Sequence, residues 1–276
     1  MPTHPTDPHP PETKVREPAD DAIRRLLAEH AGPLYQFACR ICGDRDEAED
    51  LVQETFMNAY RAWGGFRGES SERTWIYRIA INACRRMHRP KSGEPDSIGS
   101  LDAPLPFGEP LVAGVPADQD DALQLQIHEE ARRRLERAIV ELPMGFRVPM
   151  ILKEIAELPV RDVARILGLE EGTVRSRVHR ARLKLRASID AAIPRDPDPA
   201  PPPAYDQQTC LDLLGAKQEA LDRGVPFGDD EVCRRCRSVF ASLDLTQDLC
   251  RDLARDELPG EIRDRLERRI EQDARG

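Results

Sequence analysis

The segment VRDVARILGLEEGTVRSRVHRARLKLR, from Val160 to Arg186, decides the fold of this chain. Its pattern predicts two helices around a tight turn, in which Gly168 supplies a residue that can adopt a positive φ angle and end the first helix. In the second helix, apolar residues recur at spacings of four, three and four, which indicates one buried stripe. The stripe consists of Val174, Val178, Ala181 and Leu185.

The other faces of the second helix are basic, with no acidic residue between the cations. These cations are Arg175, Arg177, Arg180, Arg182, Lys184 and Arg186. A helix that reads the major groove docks an apolar stripe on its partner helix and presents cations to phosphates. A solvated helix of an ordinary bundle is the alternative, but such a face usually mixes both signs of charge. The segment therefore predicts a helix-turn-helix that binds DNA.

Composition limits the remaining possibilities. The net charge of the 276-residue chain is −9, which argues against a uniformly basic nucleic-acid binder and indicates that cationic surface is confined to part of the chain. The 24 prolines predict helical units joined by proline-rich connectors. We find no run long enough to span a membrane and no signal peptide, so we expect a cytoplasmic protein whose seven Cys are thiols or metal ligands.

Residues 20–89 are predicted to form the first folded unit, with helical spacing that is interrupted at Gly32-Pro33. The string DRDEAEDLVQETFMNAYRAW, residues 44–63, has apolar residues in a three-four rhythm and acids on the opposite face. The acids lie where the helix dipole favours negative charge. A plain capped surface helix would show the same pattern, so the acidic face alone indicates no partner.

A Gly- and Ser-rich loop with Phe66 then leads into the helix WIYRIAINACRRMHR, residues 75–89. Aromatic side chains interleaved with arginines suit unpaired nucleic acid, because rings stack on bases while cations hold the backbone. The alternative is that Trp75 and Tyr77 are packed core aromatics. Composition alone leaves both open.

The whole chain is predicted to be all-α. Residues 1–19 read as a disordered tail, 90–121 as a linker, 122–188 as a second unit of about four helices, and 189–204 as a proline-rich linker. In the second unit, we expect a helix to begin close to Pro149, since proline fits the first turn of a helix. Residues 205–276 form a third unit, whose almost wholly charged last helix should lie in solvent or against a partner.

The third unit has little apolar content, and a domain with a small core often needs a disulfide or a bound metal to be stable. Cys233 and Cys236 are spaced to place two thiols on one helical turn, the arrangement that zinc uses, and two further cysteines could complete a tetrahedral set. The predicted metal ligands are Cys210, Cys233, Cys236 and Cys250. Burial as small apolar residues is the expectation for Cys39, Cys42 and Cys84.

Four strings together resemble the extracytoplasmic-function (ECF) group of bacterial RNA polymerase sigma factors of the sigma-70 family. They are DRDEAEDLVQETFMNAYRAW, WIYRIAINACRRMHR, ELPMGFRVPMIL and VARILGLEEGTVRSRVHRARLKLR. The resemblance covers about residues 20–186, and the order of the strings fits region 2, a linker and region 4. It implies a protein that binds core polymerase and promoter DNA, helps to open the −10 element and is not itself an enzyme.

The resemblance also implies which side chains make each contact. Contacts with the core polymerase fall to Asp50, Leu51, Gln53, Glu54 and Phe56. Contacts with the −10 element fall to Phe66, Arg67, Ser70, Trp75, Asn82 and Arg85. Contacts with the −35 element fall to Thr173, Arg175, Ser176, Arg177, His179 and Arg180.

The string CLDLLGAKQEALDRGVPFGDDEVCRRC, residues 210–236, resembles a zinc-binding anti-sigma domain, as does ELPGEIRDRL, residues 257–266. Asp229 stands where that family has its His ligand, so Asp229 or Cys250 would complete the site with zinc or another thiophilic metal. The resemblance implies a regulator carried in cis that responds to metal or thiol oxidation, and it leaves room for a separate anti-sigma factor. No cofactor is expected for sigma activity itself. The alternatives are a helix-turn-helix regulator that does not join polymerase, and a sigma factor whose tail is only structural.

Overall fold

The computed structural model describes residues 17–87, 121–191, 193, 202, 204–228, 232–254 and 258–274. These residues form ten α-helices and no strand, so the predicted all-α fold is confirmed for the described chain. The helices are α1 (Ala19–Cys42), α2 (Arg45–Ala62), α3 (Glu72–Met87), α4 (Asp121–Glu141), α5 (Met144–Met150), α6 (Val160–Leu167), α7 (Glu171–Asp190), α8 (Gln207–Arg223), α9 (Arg234–Ala254) and α10 (Gly260–Ala274).

Several sequence predictions fall outside the described residues: most of the N-terminal tail, nearly all of the first linker, and Asp229. Among the helices that are described, none combines the length and the apolar character that a membrane crossing requires.

The first unit packs α1, α2 and α3 together. Contrary to the prediction, α1 runs unbroken through Gly32-Pro33. A proline inside a helix forfeits one backbone hydrogen bond, but the flanking side chains of Leu26, Leu34 and Phe37 are buried, and their burial favours a continuous helix. Gly43 ends α1 with a φ of 77°. The Asp44 carboxylate then caps α2 by accepting the backbone N–H groups of residues 46 and 47, at 2.9 and 3.0 Å.

In the second unit, the predicted turn and stripe are both confirmed. Gly168 has a φ of 70°, and its N–H donates to the carbonyl of Ala164. All four stripe residues of α7 are buried. The prediction for Pro149 was wrong: α5 begins at Met144, and Pro149 lies near its end, before a π-helical turn formed by Ile151–Ile155. Because proline lacks an N–H, the carbonyl four residues earlier needs another donor, and the Arg177 guanidinium supplies it.

The third unit packs on the other two. α9 lies against α7, the π-helical turn and α1, and α10 lies against α1 and α2. Leu249, Cys250 and Leu253 of α9 belong to the same continuous core as both other units. The last helix is not simply solvated, because Ile262 and Leu266 are buried in that core. A second, smaller core lies mainly between α8 and α9.

Candidate nucleic-acid interface

The N-terminal half of α7 presents the side chains predicted to read DNA. Thr173, Arg175, Ser176 and Arg180 are exposed. Arg175 makes an ion pair with Glu171 one turn earlier, at 2.8 Å, but keeps 46% of its side chain exposed. Surface pairs of this kind contribute little to stability, so they leave the cation available to a phosphate.

Arg177 is only partly exposed. Its Nη1 donates to the carbonyl of Gly145 at 3.2 Å, which is the acceptor that Pro149 leaves without a backbone donor. One of the predicted DNA contacts therefore also fastens α7 to α5. No local sequence pattern indicates this bond, because its two partners lie 32 positions apart.

Two cations that the sequence assigned to the basic face of α7 point into the protein. Arg182 is 2% exposed, and its Nη2 lies 2.5 Å from Glu154 and 2.7 Å from Asp222. Arg186 is buried as well and pairs with Asp190 of its own helix at 2.7 Å. A buried charge needs a close counter-charge, and here the acids come from the π-helical turn, α8 and α7 itself.

His179, a predicted −35 contact, is held by the third unit. Its Nε2 lies 2.9 Å from Oδ2 of Asp222, and its carbonyl accepts a hydrogen bond from Gln218 of α8 at 3.4 Å. Burial alone would raise the pKa of Asp222, but the hydrogen bond from His179 and the charge of Arg182 outweigh it and hold that pKa below its ordinary value. Asp222 is therefore a carboxylate in this contact.

Three aromatic rings cluster at the start of α3. Trp63 stacks on Phe66 with ring centroids 5.5 Å apart, and Trp75 lies 4.9 Å from Phe66 and 5.8 Å from Trp63. Phe66 and Trp75 are half-buried, so each keeps surface that a base could stack on. Trp63 shares the cluster but is not among the predicted −10 contacts. Tyr77 is a core residue, packed edge-on against Phe37 at 5.2 Å.

One of the remaining residues predicted to contact the −10 element, Arg85, reaches the second unit. Arg67, Asn82 and Arg85 are exposed and Ser70 is half-buried. Arg85 donates to the carbonyl of Leu167 at 3.3 Å, which is the last residue of α6. The helix α3 therefore touches the first helix of the helix-turn-helix.

The acidic face of α2 is only partly as predicted. Asp50 is exposed, Gln53 and Glu54 are half-buried, and Glu54 pairs with Arg86 of α3 at 2.7 Å. Leu51 and Phe56 are 0% exposed and offer no surface to a partner in this form, so their assignment as direct polymerase contacts stays a prediction. Both belong to the apolar stripe of α2, and they support the acidic face from beneath.

The acidic face of α2 also has a neighbour that the sequence did not indicate. Arg265 of α10 forms an ion pair with Glu49 of α2, beside the face that carries Asp50 and Gln53. The C-terminal helix therefore lies next to the predicted polymerase-docking surface.

The structure does not assemble the predicted four-cysteine metal site. Cys210, Cys233 and Cys236 are neighbours in the small core. Cys250 lies in the large core, beside Glu154 and Arg182. In the described part of the chain, no group of three or more His, Cys, Asp or Glu side chains is arranged to hold a metal. A metal at the three remaining thiols stays a prediction.

Cys233 and Cys236 differ in acidity. Cys233 directly precedes α9, and although burial alone would raise its pKa, hydrogen bonds from the backbone N–H groups of Cys236 and Ala204 hold that pKa below the ordinary value. Burial and the neighbouring Cys233 raise the pKa of Cys236 to about 12. Cys233 is therefore the more nucleophilic thiol of this pair.

The chain is similar to known proteins over its first two units. The sigma-70 region 2 family matches residues 26–93, and the sigma-70 region 4 family matches residues 132–185. The chain is 36% identical over 178 residues to the RNA polymerase sigma-H factor of Pseudomonas aeruginosa, over 62% of this chain and 86% of that protein. It is 30% identical over 179 residues to the ECF RNA polymerase sigma factor SigW of Bacillus subtilis, over 64% and 93%.

A co-crystal structure of the sigma factor RpoE with the anti-sigma factor NepR from Bartonella quintana is 28% identical, with a TM-score of 0.42. It covers 62% of this chain and 97% of the solved chain. Neither family match extends beyond residue 185, so α8, α9 and α10 lie outside both.

Proposed function

Because the chain belongs to the extracytoplasmic-function group of sigma-70 RNA polymerase sigma factors, we propose that it is a sigma factor held closed by its own C-terminal helices. As a sigma factor it binds core polymerase and promoter DNA, while the polymerase carries out the chemistry. Membership of this family decides against a helix-turn-helix regulator that does not join polymerase. The site of action that follows for this chain is the cytoplasm.

The closed form cannot contact both promoter elements at once. The names of the −10 and −35 elements place them about 25 base pairs apart, which is roughly 85 Å along a straight duplex. Here α3 and α6 touch through Arg85 and Leu167, so the two DNA-binding units lie side by side. Promoter binding therefore requires the units to separate.

The observation that carries this proposal is that the C-terminal helices contact both units. α9 packs on α7 and the π-helical turn of the second unit and also on α1 of the first, while α10 packs on α1 and α2. Gln247 of α9 donates to Glu154 at 3.1 Å, which ties α9 to the buried pair of Arg182. These contacts stabilise the closed form and must be broken when the units separate.

We assign the sensing of metal or oxidant to the cluster of three cysteine thiols. Cys210, Cys233 and Cys236 lie in the core that joins α8 to α9, so a thiophilic metal or an oxidant acting there would alter the packing of both helices. Cys250 is not part of the group. Elemental analysis of the purified chain, with and without reductant, separates bound metal from free thiols.

The experiment that tests the closed form uses the full chain with core polymerase. Ile262→Asp together with Leu266→Asp places two charges on the buried face of α10 and should undock it. We expect more promoter-specific transcript than the wild-type chain gives. Arg263→Asp changes an exposed position of the same helix and serves as the control. Equal transcript from all three chains would contradict the proposal.

A further inference from the structure

We propose that Asp222 of α8 occupies the place of a DNA phosphate, and that His179 and Arg182 of α7 form a backbone-phosphate site that the closed form masks. This inference rests on the proposed function, since it assigns a role to one contact of the closed form. It adds Arg182 to the residues predicted to contact the −35 element.

The geometry is that of an anion shared by two nitrogen-bearing side chains. Oδ1 of Asp222 accepts from Nη2 of Arg182 at 2.7 Å, and Oδ2 lies 2.9 Å from Nε2 of His179. The carboxylate therefore offers each donor its own oxygen, as a phosphate group would. Asp222 itself is nearly buried, with 7% of its side chain exposed.

The position of the pair on α7 fits the flank of a major-groove helix. His179 and Arg182 are one turn apart and share an edge of the helix with Arg175, one turn further toward the N-terminus. Arg175 is exposed on that edge, whereas α8 covers the other two. A recognition helix in the major groove is bordered by phosphates, so two arginines and a histidine in a row along one edge would track a DNA strand.

Arg182 also has more carboxylate partners than are needed to neutralise its one buried positive charge. Glu154 lies 2.5 Å away and already supplies one negative charge for the one guanidinium. Asp222 adds a second, and the Nε of Arg182 still has no acceptor among the described residues. When Asp222 leaves, Glu154 keeps Arg182 paired, and the side chain retains donors for a phosphate.

The test measures DNA binding by the full chain without polymerase, using a 30-base-pair duplex of mixed sequence between 50 and 200 mM salt. Each additional phosphate contact steepens the slope of log K against log salt by about 0.9, which enlarges the affinity loss over this range by about 3.5-fold. We expect Asp222→Asn to steepen the slope by one such contact or more. Asp244→Asn removes an equal charge from α9, where Asp244 pairs with Lys217 at 2.7 Å, and should leave the slope unchanged.

A triple variant tests whether a steeper slope comes from Arg182 or from a general loosening of the third unit. Glu154→Gln with Arg182→Gln removes the buried pair without leaving either charge alone, and added to Asp222→Asn it should return the slope toward the wild-type value. The proposal is overturned if Asp222→Asn leaves the slope unchanged, if Asp244→Asn steepens it equally, or if the triple variant keeps the steeper slope. Since no polymerase is present, failure here is distinct from failure of the α10 variant to raise transcription.

Discussion

Thr74 and Asp162 join the two DNA-binding units directly: the Thr74 hydroxyl donates to Oδ2 of Asp162 at 3.3 Å. Thr74 lies in the first turn of α3 and is fully buried, while Asp162 lies in the first turn of α6. The bond spans 88 positions of sequence. This hydrogen bond holds α3, the helix predicted to contact the −10 element, against the helix-turn-helix. It is therefore a direct contact between the two units in the closed form.

Replacing Asp162 by Ala should favour the open form. The substitution removes one hydrogen bond between the units, worth about 1 kcal/mol, which corresponds to about a fivefold shift in a closed–open equilibrium. We expect a rise of that order in transcript from full chain and core polymerase. Asp162 also pairs with Arg165 at 3.4 Å within α6, so Arg165→Ala is the matched control. A rise of the same size in the control would show that the bond to Thr74 is not responsible.

Two glycines with similar backbone angles should differ in their tolerance of a side chain. Gly43 and Gly168 have φ angles of 77° and 70°, so alanine at either position costs about 1–2 kcal/mol of backbone strain. A Cβ at residue 43 would also lie 3.1 Å from Cγ1 of Val140, whereas one at residue 168 would meet nothing within 4 Å.

We therefore expect urea unfolding to show a larger loss of stability for Gly43→Ala than for Gly168→Ala, by up to about 1 kcal/mol. The added substitution Val140→Ala should remove the difference. Equal losses of stability for the two single variants would mean that the Val140 side chain adopts another rotamer at no cost in stability.

The bond between Arg177 and Gly145 should depend on Pro149. In the wild-type chain, Arg177→Ala leaves the Gly145 carbonyl without its donor and should cost about 0.5–1.5 kcal/mol of stability. In a Pro149→Ala background, the new backbone N–H can serve that carbonyl, so the same substitution should cost close to nothing. The double-mutant cycle by urea unfolding isolates this coupling. Arg180→Ala, which changes an exposed cation of α7, should cost the same in both backgrounds.

Alkylation should modify Cys233 before Cys42, Cys84 and Cys236. Its pKa is held below the ordinary 9.0, so its thiolate is present at lower pH and its rate with iodoacetamide should rise with a midpoint below pH 9. Burial raises the pKa of Cys84 to about 11, that of Cys42 to about 12 and, with Cys233 as neighbour, that of Cys236 to about 12. Peptide mass mapping across pH 6–9 measures the order. Modification of Cys236 ahead of Cys233 would contradict the assignment.

The features that depend on neighbouring residues in the sequence were predictable. The stripe of α7 and the turn at Gly168 follow from helical spacing and from the freedom of glycine, and both are present. The acidic cap of α2 follows from Asp44 in the same way. Such signals lie within a few residues of one another, so one sequence is enough to read them.

The features that depend on distant partners were not predictable. Arg182 has the spacing of a surface cation, and only Glu154 and Asp222, from other helices, draw it inside. Pro33 has a local signal for a break that the packing of α1 overrides. Cys250 has a plausible ligand spacing but lies in the other core.

If the C-terminal helices hold the two DNA-binding units together, undocking them must lengthen the distance between the units. Fluorophores at Glu69 and Arg161, exposed residues close to Thr74 and Asp162, report the separation of the units by energy transfer in the full chain. We predict high transfer in the free wild-type chain and a large loss of transfer in the Ile262→Asp, Leu266→Asp variant without any polymerase. Transfer that stays equally high in that variant would contradict the account.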